Sequence, residues 1–423
     1  MLVNRGTDLS HDRASINGTR HAAGGAVSAE VFTPLWVVFG LAMGPTVALG
    51  LARFAYALLL PPMRADLGWS FADAGAMNTA NAAGYLIGAL TAALIGRRLG
   101  DKRVFATALL LTALAVGASG LTGRFEILLV LRLVAGLTGA LAFVMGAGLT
   151  SAAAVGGAQG RAPTVLAVYF AGGGIGIAAS ALAVPPLLAS SGWRAGWLVM
   201  GALSLAATGY AWVVLPRVPN AAAATTGRAR EGWSPRFMSA TLFAYALFGA
   251  GYSSYSTFII AYLRGDEKLS GHAVSVFWAV LGLSAVAAAF AWGPLLGRLK
   301  RGWGTAVAVG TVAVGAAVPL VFHGVGGAYV SAALFGGSFL AVIAAVTAFA
   351  RKTAQSHAWT AAIAALTTTF GIGQCIGPIL SGALSDGPNG VRGGLWLSVG
   401  ILVAACIVAT LQREFQVTSS AGI

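Results

Sequence analysis

The feature that most constrains this chain is a series of twelve apolar runs, each long enough to cross a lipid bilayer as a helix. A bilayer core needs about 20 mostly apolar residues per helix. The runs begin, within several residues, at Phe32, Phe71, Val104, Ile127, Pro163 and Gly196 in the first half, and at Met238, Ala273, Thr305, Ala328, Trp359 and Leu395 in the second. The sequence therefore predicts an all-α integral membrane protein with twelve transmembrane helices.

Composition and charge support the same conclusion. Of the 423 residues, 57% are apolar and only 9% are charged, too few charges to cover a soluble protein of this size. The net charge of +14 comes from short loops, so membrane topology explains it better than nucleic-acid binding. With both termini in the cytoplasm, the inner loops and tails hold 18 Lys and Arg and the outer loops hold 6. We therefore expect a multi-pass protein of the plasma (inner) membrane, with the lipid bilayer and no nucleic acid as a partner.

The two halves of the chain carry a similar pattern. The segment from Met63 to Ser70 matches the segment from Leu263 to Ser270, with Arg, Asp and Ser at equivalent places. Six plus six helices with an internal repeat are typical of secondary transporters. The predicted organisation is two pseudo-symmetric six-helix bundles: a cytoplasmic N-terminal tail (1–32), an N-terminal bundle (33–216), a cytoplasmic linker (217–236), a C-terminal bundle (237–412) and a cytoplasmic C-terminal tail (413–423).

Two motifs resemble those of the major facilitator superfamily. The loop after the second run reads Gly96-Arg97-Arg98-Leu99-Gly100-Asp101, similar to the superfamily's Gly-x-Leu-x-Asp-Arg-x-Gly-Arg-Arg signature with Arg97 in place of Asp. The fourth run carries Arg132 and Gly136, similar to the superfamily's Arg-x-x-x-Gly motif. The first run, with Arg53, Tyr56 and a Pro-Pro pair after it, resembles the YbfB/YjiJ branch.

The resemblance implies the major facilitator fold and transport by alternating access. It also implies a cytoplasmic gate, for which the candidates are Arg97, Arg98, Gly100, Asp101 and Arg298. The fifth run lacks the Gly-Pro pattern of drug/proton antiporters, because it reads Gly172-Gly173-Gly174-Ile175-Gly176 with a later Pro-Pro pair. This difference weakens an antiporter interpretation.

Arg53 and Arg132 are the charged residues inside apolar runs, and a charge in the hydrocarbon core usually marks a functional site. Both fall in the outer half of the membrane. Since the resemblance implies that the first and fourth helices line the central cavity, the two arginines together would attract a carboxylate or phosphate. The alternative is that each reaches the outer headgroups or braces neighbouring carbonyl groups.

Polar and aromatic stripes supply the other cavity candidates. Asn78, Asn81 and Tyr85 share one helix face, which either lines the cavity or bonds to a neighbouring helix. The seventh run carries a stripe of Tyr245, Phe248, Tyr252 and Ser256, in which an aromatic packing role competes with a substrate surface. The full set of predicted substrate-cavity residues is Arg53, Tyr56, Asn78, Asn81, Tyr85, Arg132, Tyr252, Ser256 and Gln374.

No carboxylate lies near the middle of a run, and Asp73 belongs to a predicted capping box with Ser70. We predict a secondary active transporter, monomeric, that moves a small organic anion or zwitterion and uses protons or another coupling ion. The alternatives are an exporter of drugs or lipophiles with the same fold and a membrane sensor that does not transport. An enzyme is not expected, nor a cofactor or a metal site.

Overall fold

The computed structural model describes residues 34–155, 162–218, 235–354 and 359–413. Within these ranges the chain forms twelve long helices. The first six are α1 (Leu35–Leu67), α2 (Phe71–Leu99), α3 (Asp101–Ala118), α4 (Phe125–Val155), α5 (Ala162–Ser190) and α6 (Gly192–Val214). The second six are α7 (Ser239–Gly265), α8 (Gly271–Arg298), α9 (Trp303–Val321), α10 (Gly324–Thr353), α11 (Trp359–Ser385) and α12 (Gly390–Thr410). The predicted tail 1–32, most of the linker 217–236 and all but the first residue of the tail 413–423 lie outside the described residues.

Ten of these helices are long and apolar enough to cross a membrane. The two others are α3, whose first turn holds Asp101, Lys102 and Arg103, and α7, which carries many Ser, Thr and Tyr side chains. Charges at a helix end and hydroxyl groups inside a bundle lower hydropathy without preventing a helix from spanning a bilayer. The all-α membrane fold is confirmed, and twelve spans are consistent with it.

Small residues let the helices approach closely, because lipid gives helices no hydrophobic drive to associate. A Cβ atom on Gly84 of α2 would lie 2.0 Å from the carbonyl oxygen of Leu133 on α4, and one on Gly88 would lie 2.3 Å from that of Leu137. Gly84 and Gly88, small residues four positions apart on α2, therefore pack against α4. Gly75 of α2 approaches the Pro378 carbonyl on α11 in the same way, at 2.3 Å.

Helix α1 is not a regular α-helix throughout. Its middle turns, Thr46–Phe54, are π-helical, between α-helical segments Leu35–Pro45 and Ala55–Leu67. Thr46 donates a hydrogen bond through its hydroxyl to the Gly172 carbonyl of α5 at 2.9 Å, and Gly50 packs directly on Gly176. π-Helical turns are rare and occur frequently at functional sites. This segment ends at Phe54, so it includes Arg53.

The two halves of the chain are joined at the end of the bundle where α2 begins. The side-chain hydrogen bonds that join described residues of the two halves are made by α2 residues from Phe71 to Thr79. The Asp386 carboxylate, just after α11, accepts hydrogen bonds from the backbone N–H groups of Phe71 and Ala72 at 2.7 and 3.0 Å. The predicted capping box is confirmed at the same helix start, where Ser70 and Asp73 bond to each other reciprocally. The halves are thus fastened at this end.

Candidate functional site

Arg53 is buried in the centre of the bundle, with 7% of its surface exposed. Its guanidinium lies 5.8 Å from the ring centroid of Tyr85 on α2 and 6.0 Å from that of Tyr252 on α7. Its Nη2 atom is buried without a hydrogen-bond partner. Within the described chain the ion pairs are Arg194 with Asp66 and His323 with Glu267, so no carboxylate pairs with Arg53. The site therefore holds a buried cation that two aromatic rings flank.

A small cavity of about 10 Å³ adjoins Arg53, with room for about one water molecule. Its lining comes from both halves of the chain: Arg53, Phe54, Tyr56, Ala57, Asn78, Ser256 and Thr257. The Asn78 amide donates hydrogen bonds across the interface to the hydroxyls of Ser253 at 3.1 Å and Thr257 at 2.8 Å. Pockets for drug-sized molecules usually measure about 300–1,000 Å³, so this cavity must widen before it holds a molecule of that size.

Six of the predicted cavity residues are close together. Four of them, Arg53, Tyr56, Asn78 and Ser256, line the same cavity, and Tyr85 and Tyr252 flank the guanidinium. Tyr56 is fixed by donating a hydrogen bond to the Ala74 carbonyl at 2.8 Å.

Arg132 has a different environment from Arg53. It is 2% exposed, and its Nη1 atom donates a hydrogen bond to the carbonyl oxygen of Ala52 in the π-helical segment. Its guanidinium lies 5.1 Å from the Tyr56 ring and 5.3 Å from the Trp197 ring. The Asn81 amide donates to the backbone carbonyl of Arg132 at 3.1 Å. Arg132 and Asn81 thus connect α4 to α1 and α2, behind the residues that line the cavity.

Gln374 lies on α11 and is 1% exposed. Its Oε1 atom is buried without a hydrogen-bond partner. The glycines on either side of it, Gly373 and Gly377, bring α11 against the backbone of α7, where a Cβ atom would lie 1.9 and 2.2 Å from carbonyl oxygens. Gln374 is therefore a buried amide at a tight contact between two helices of the second half.

Aromatic residues that the sequence analysis did not single out complete the site. Phe370 of α11 stacks on the predicted stripe of α7, with ring centroids 4.7 Å from Tyr245, 5.8 Å from Phe248 and 6.0 Å from Tyr252. We call these four residues the aromatic wall. Phe339 of α10 lies 5.7 Å from Tyr252 and extends the aromatic surface to Phe54, 5.5 Å away. No sequence signal marks Phe339 or Phe370, since each lies on a helix far along the chain from Arg53 and outside the α7 stripe.

Four of the predicted gate residues lie where α2 ends and α3 begins, at the opposite end of α2 from its hydrogen bonds to the second half. Arg97 and Arg98 are exposed in its last turn, and Gly100 has a φ angle of +84° at the junction with α3. Arg298 is exposed in the last turn of α8. Asp101 begins α3, where its carboxylate lies against Gly96. In the described structure none of these side chains forms an ion pair with the other half, and their role as a gate stays a prediction.

Among the described residues, no three His, Cys, Asp or Glu side chains come together in a way that could hold a metal ion. The chemistry available at the centre is that of a guanidinium, phenol and alcohol hydroxyls, an amide and flat aromatic faces. Groups of this kind can bind and orient a small molecule. A bundle of membrane-spanning helices with such a site between its two halves defines the class of membrane transporters.

Comparison with known proteins gives the family. A family model described as "Uncharacterised MFS-type transporter YbfB" matches residues 45–410. The chain belongs to this family of major facilitator superfamily transporters, as its motifs predicted. It is also similar to a chloramphenicol resistance protein of Streptomyces lividans, with 28% identity over 396 residues that cover 88% of this chain and 95% of the relative.

Solved structures with the same fold include two transporters. A point mutant of the nucleoside transporter NupG matches with a TM-score of 0.73 and 14% identity over 89% of this chain and 100% of that one. A bacterial homologue of the human lysosomal transporter Spinster, in an inward-facing and unoccupied conformation, matches with a TM-score of 0.66 and 14% identity over 91% and 97% of the two chains. At this identity, the likeness shows the fold alone.

Proposed function

We propose that this protein is a secondary active transporter that moves a small organic anion or zwitterion across the membrane by alternating access. The observation that carries the proposal is the environment of Arg53. This guanidinium is buried between the halves, next to a cavity, and no carboxylate within the described residues neutralises it.

An unpaired buried charge costs free energy, and the cost is several kcal/mol in hydrocarbon. A chain that keeps such a charge gains from it when an anionic group binds. The guanidinium presents planar N–H donors that match a carboxylate or phosphate, and Nη2 of Arg53 is available for such a bond. A cationic solute would instead be repelled at the same place.

Alternating access is supported by the distribution of contacts between the halves. The hydrogen bonds described between them cluster where α2 begins, and the predicted gate residues at the other end of α2 make no ion pair across the interface in the described structure. With both termini in the cytoplasm, the fastened end is the outer one, and the cavity would open inward.

The bundles 33–216 and 237–412 would be the two moving units of a monomer in the plasma (inner) membrane. A gradient of protons or another ion would supply the energy, since the sequence has no nucleotide-binding loop.

The test is transport by the purified protein in sealed vesicles, with a panel of small organic acids, amines and neutral solutes. We expect uptake of at least one acid, a loss of about ten-fold or more in Arg53→Gln, and partial retention in Arg53→Lys, because a charge-assisted hydrogen bond contributes about 1.5–3 kcal/mol. Arg124→Gln is the matched control, since Arg124 is exposed and outside the cavity. Transport of amines or neutral solutes alone, unchanged in Arg53→Gln, would contradict the proposal.

The second candidate function is export of drugs or lipophiles. The similar protein of Streptomyces lividans is called a chloramphenicol resistance protein, and the aromatic wall offers an apolar surface. Drug tolerance of a deletion strain separates the two candidates. Tolerance that falls on deletion and is restored equally by the wild type and Arg53→Gln would favour export, whereas altered growth on organic acids that depends on Arg53 would favour the first function.

A further inference from the structure

The four rings of the aromatic wall are close to parallel. The ring planes of Tyr245, Phe248 and Tyr252 lie within 24° of the plane of Phe370. The three α7 residues are buried, whereas Phe370 is partly exposed. Offset stacking of near-parallel rings is one of the two arrangements that aromatic pairs prefer, and here it gives rings from two helices one orientation. Another flat ring would stack in the same way on Phe370, the partly exposed member of the wall.

The cation lies at one end of this wall. The Arg53 guanidinium is 6.0 Å from the ring centroid of Tyr252, the last wall residue along α7. The wall and the cation belong to different halves, α7 and α11 on one side and α1 on the other. A molecule that touches both would therefore bridge the interface that alternating access must rearrange.

Several hydrogen-bond donors next to Arg53 have no acceptor among the described residues. Nη2 of Arg53 is buried and unpartnered. The hydroxyls of Tyr85 and Tyr252, whose rings flank the guanidinium, form no hydrogen bond with any described residue. A planar carboxylate, with two oxygens that accept several hydrogen bonds, satisfies this set of donors better than a neutral carbonyl or a cation.

We propose, on the basis of the proposed function, that the substrate class is the aromatic carboxylates, with the carboxylate at Arg53 and the ring against the aromatic wall. The carboxylate neutralises the buried guanidinium, and the ring gains stacking contacts that a saturated ring of similar size lacks. Aliphatic acids meet only the first requirement and neutral aromatic molecules only the second.

The test compares three probes on the purified wild-type protein by thermal stabilisation, which increases with ligand concentration over Kd. The probes are benzoate, cyclohexanecarboxylate with the same charge and no aromatic ring, and benzamide with the same ring and no charge. We expect benzoate to bind about three-fold or more tightly than cyclohexanecarboxylate, from aromatic stacking. We expect it to bind about ten-fold or more tightly than benzamide, from the charge-assisted bond to arginine.

Two variants locate the binding. Phe370→Leu keeps an apolar side chain and is expected to abolish the preference for benzoate over cyclohexanecarboxylate while both acids still bind. Arg53→Gln is expected to remove the preference for benzoate over benzamide. Arg124→Gln, exposed and distant from the wall, should change neither preference. The selectivity of the wild type alone decides the matter if a variant fails to fold.

The outcomes separate the two proposals. Equal affinity for benzoate and cyclohexanecarboxylate would overturn the aromatic class and leave anion transport intact. Equal affinity for benzoate and benzamide would overturn both. Failure of benzoate to bind at millimolar concentration would overturn the aromatic carboxylate proposal, and the acid panel in sealed vesicles would then decide the proposed function separately.

Discussion

Arg132 donates a hydrogen bond to the carbonyl oxygen of Ala52, the residue immediately before Arg53. The arginine of α4 is thereby fixed to the π-helical segment of α1 that carries the cavity arginine. The two buried guanidiniums are connected through one backbone position but have different surroundings. Arg132 contacts Tyr56 and Trp197, whereas Arg53 faces Tyr85, Tyr252 and the cavity.

The first prediction concerns this bond. Arg132→Gln shortens the side chain and removes the charge, so the Ala52 carbonyl loses this side-chain donor in a buried place. We expect a loss of about 1–3 kcal/mol in the free energy of unfolding. Thermal unfolding in detergent measures the effect, with Arg124→Gln as the control at an exposed site. An unchanged melting temperature would show that the bond to Ala52 does not support α1.

The second prediction concerns the contact between α2 and α4. A Cβ atom on Gly136 would lie 2.0 Å from the carbonyl oxygen of Asn81, so Gly136→Ala must push the two helices apart. We expect a destabilisation of about 1–3 kcal/mol from overpacking. Gly148→Ala on the same helix is the matched control, since nothing lies within 4 Å of its Cβ position. Equal stability of the two variants would refute the close contact.

The third prediction concerns the fastened end of the bundle. Asp386→Asn removes the negative charge that contacts the first turn of α2. Through this contact Asp386 bridges the two halves. A charge at a helix N-terminus contributes about 0.3–1 kcal/mol, so the ratio of closed to open form should fall about two- to five-fold. The measurement is labelling of a Ser256→Cys probe, in a variant without Cys375 and Cys406, by a membrane-impermeant thiol reagent added outside.

We expect faster labelling in the Asp386→Asn background. Glu126→Gln controls for loss of one carboxylate, because Glu126 is exposed in the first turn of α4 and makes no side-chain bond to the second half in the described structure. Identical labelling rates in the two backgrounds would mean that Asp386 does not hold this end closed.

The fourth prediction concerns pH and Glu267, in the connection after α7. Its carboxylate accepts hydrogen bonds from the Gly324 N–H at 2.8 Å and the Tyr262 hydroxyl at 2.7 Å, and its Oε1 lies 2.6 Å from Nδ1 of His323. Burial alone would raise the pKa of Glu267, but these bonds outweigh burial and lower the pKa below its usual range. A lowered pKa in the folded state means that the ionised group stabilises the fold.

This stabilisation should be complete above the unfolded pKa of about 4.3 and should disappear as the pH falls through the lower, folded value. Melting temperatures of the wild type and Glu267→Gln, measured from pH 7 to pH 3, test the expectation. The difference between them should be largest near pH 7 and should narrow below about pH 4. A difference that stays constant to pH 3 would show that ionisation of Glu267 does not contribute.

Much of the fold is local in origin and follows from the sequence. The apolar runs predicted the helices, and their starts agree within about five residues, because hydropathy and capping act over one or two helical turns. Ser70 and Asp73 form the capping box that their spacing predicts. Gly84 and Gly88, small residues four positions apart, also lie at a helix contact, as this spacing indicates.

The site was predictable only in part. Local spacing placed Asn78, Asn81 and Tyr85 on one face of α2, but it did not predict which residue each side chain contacts. Asn78 bonds to α7, Asn81 bonds to α4, and Tyr85 lies beside Arg53. These partners come from separate helices, so they depend on how the bundle assembles.

The sequence by itself determined that this chain spans a membrane with helices, belongs to a transporter superfamily and keeps two arginines in apolar surroundings. Only the tertiary structure decided that Arg53 faces the cavity and the aromatic wall, while Arg132 holds the backbone of α1. Burying a guanidinium among apolar residues is costly at either position, so the sequence pattern marks both residues alike. What differs is which carbonyl, ring or cavity lies within a few ångströms, and that depends on helices far apart along the chain.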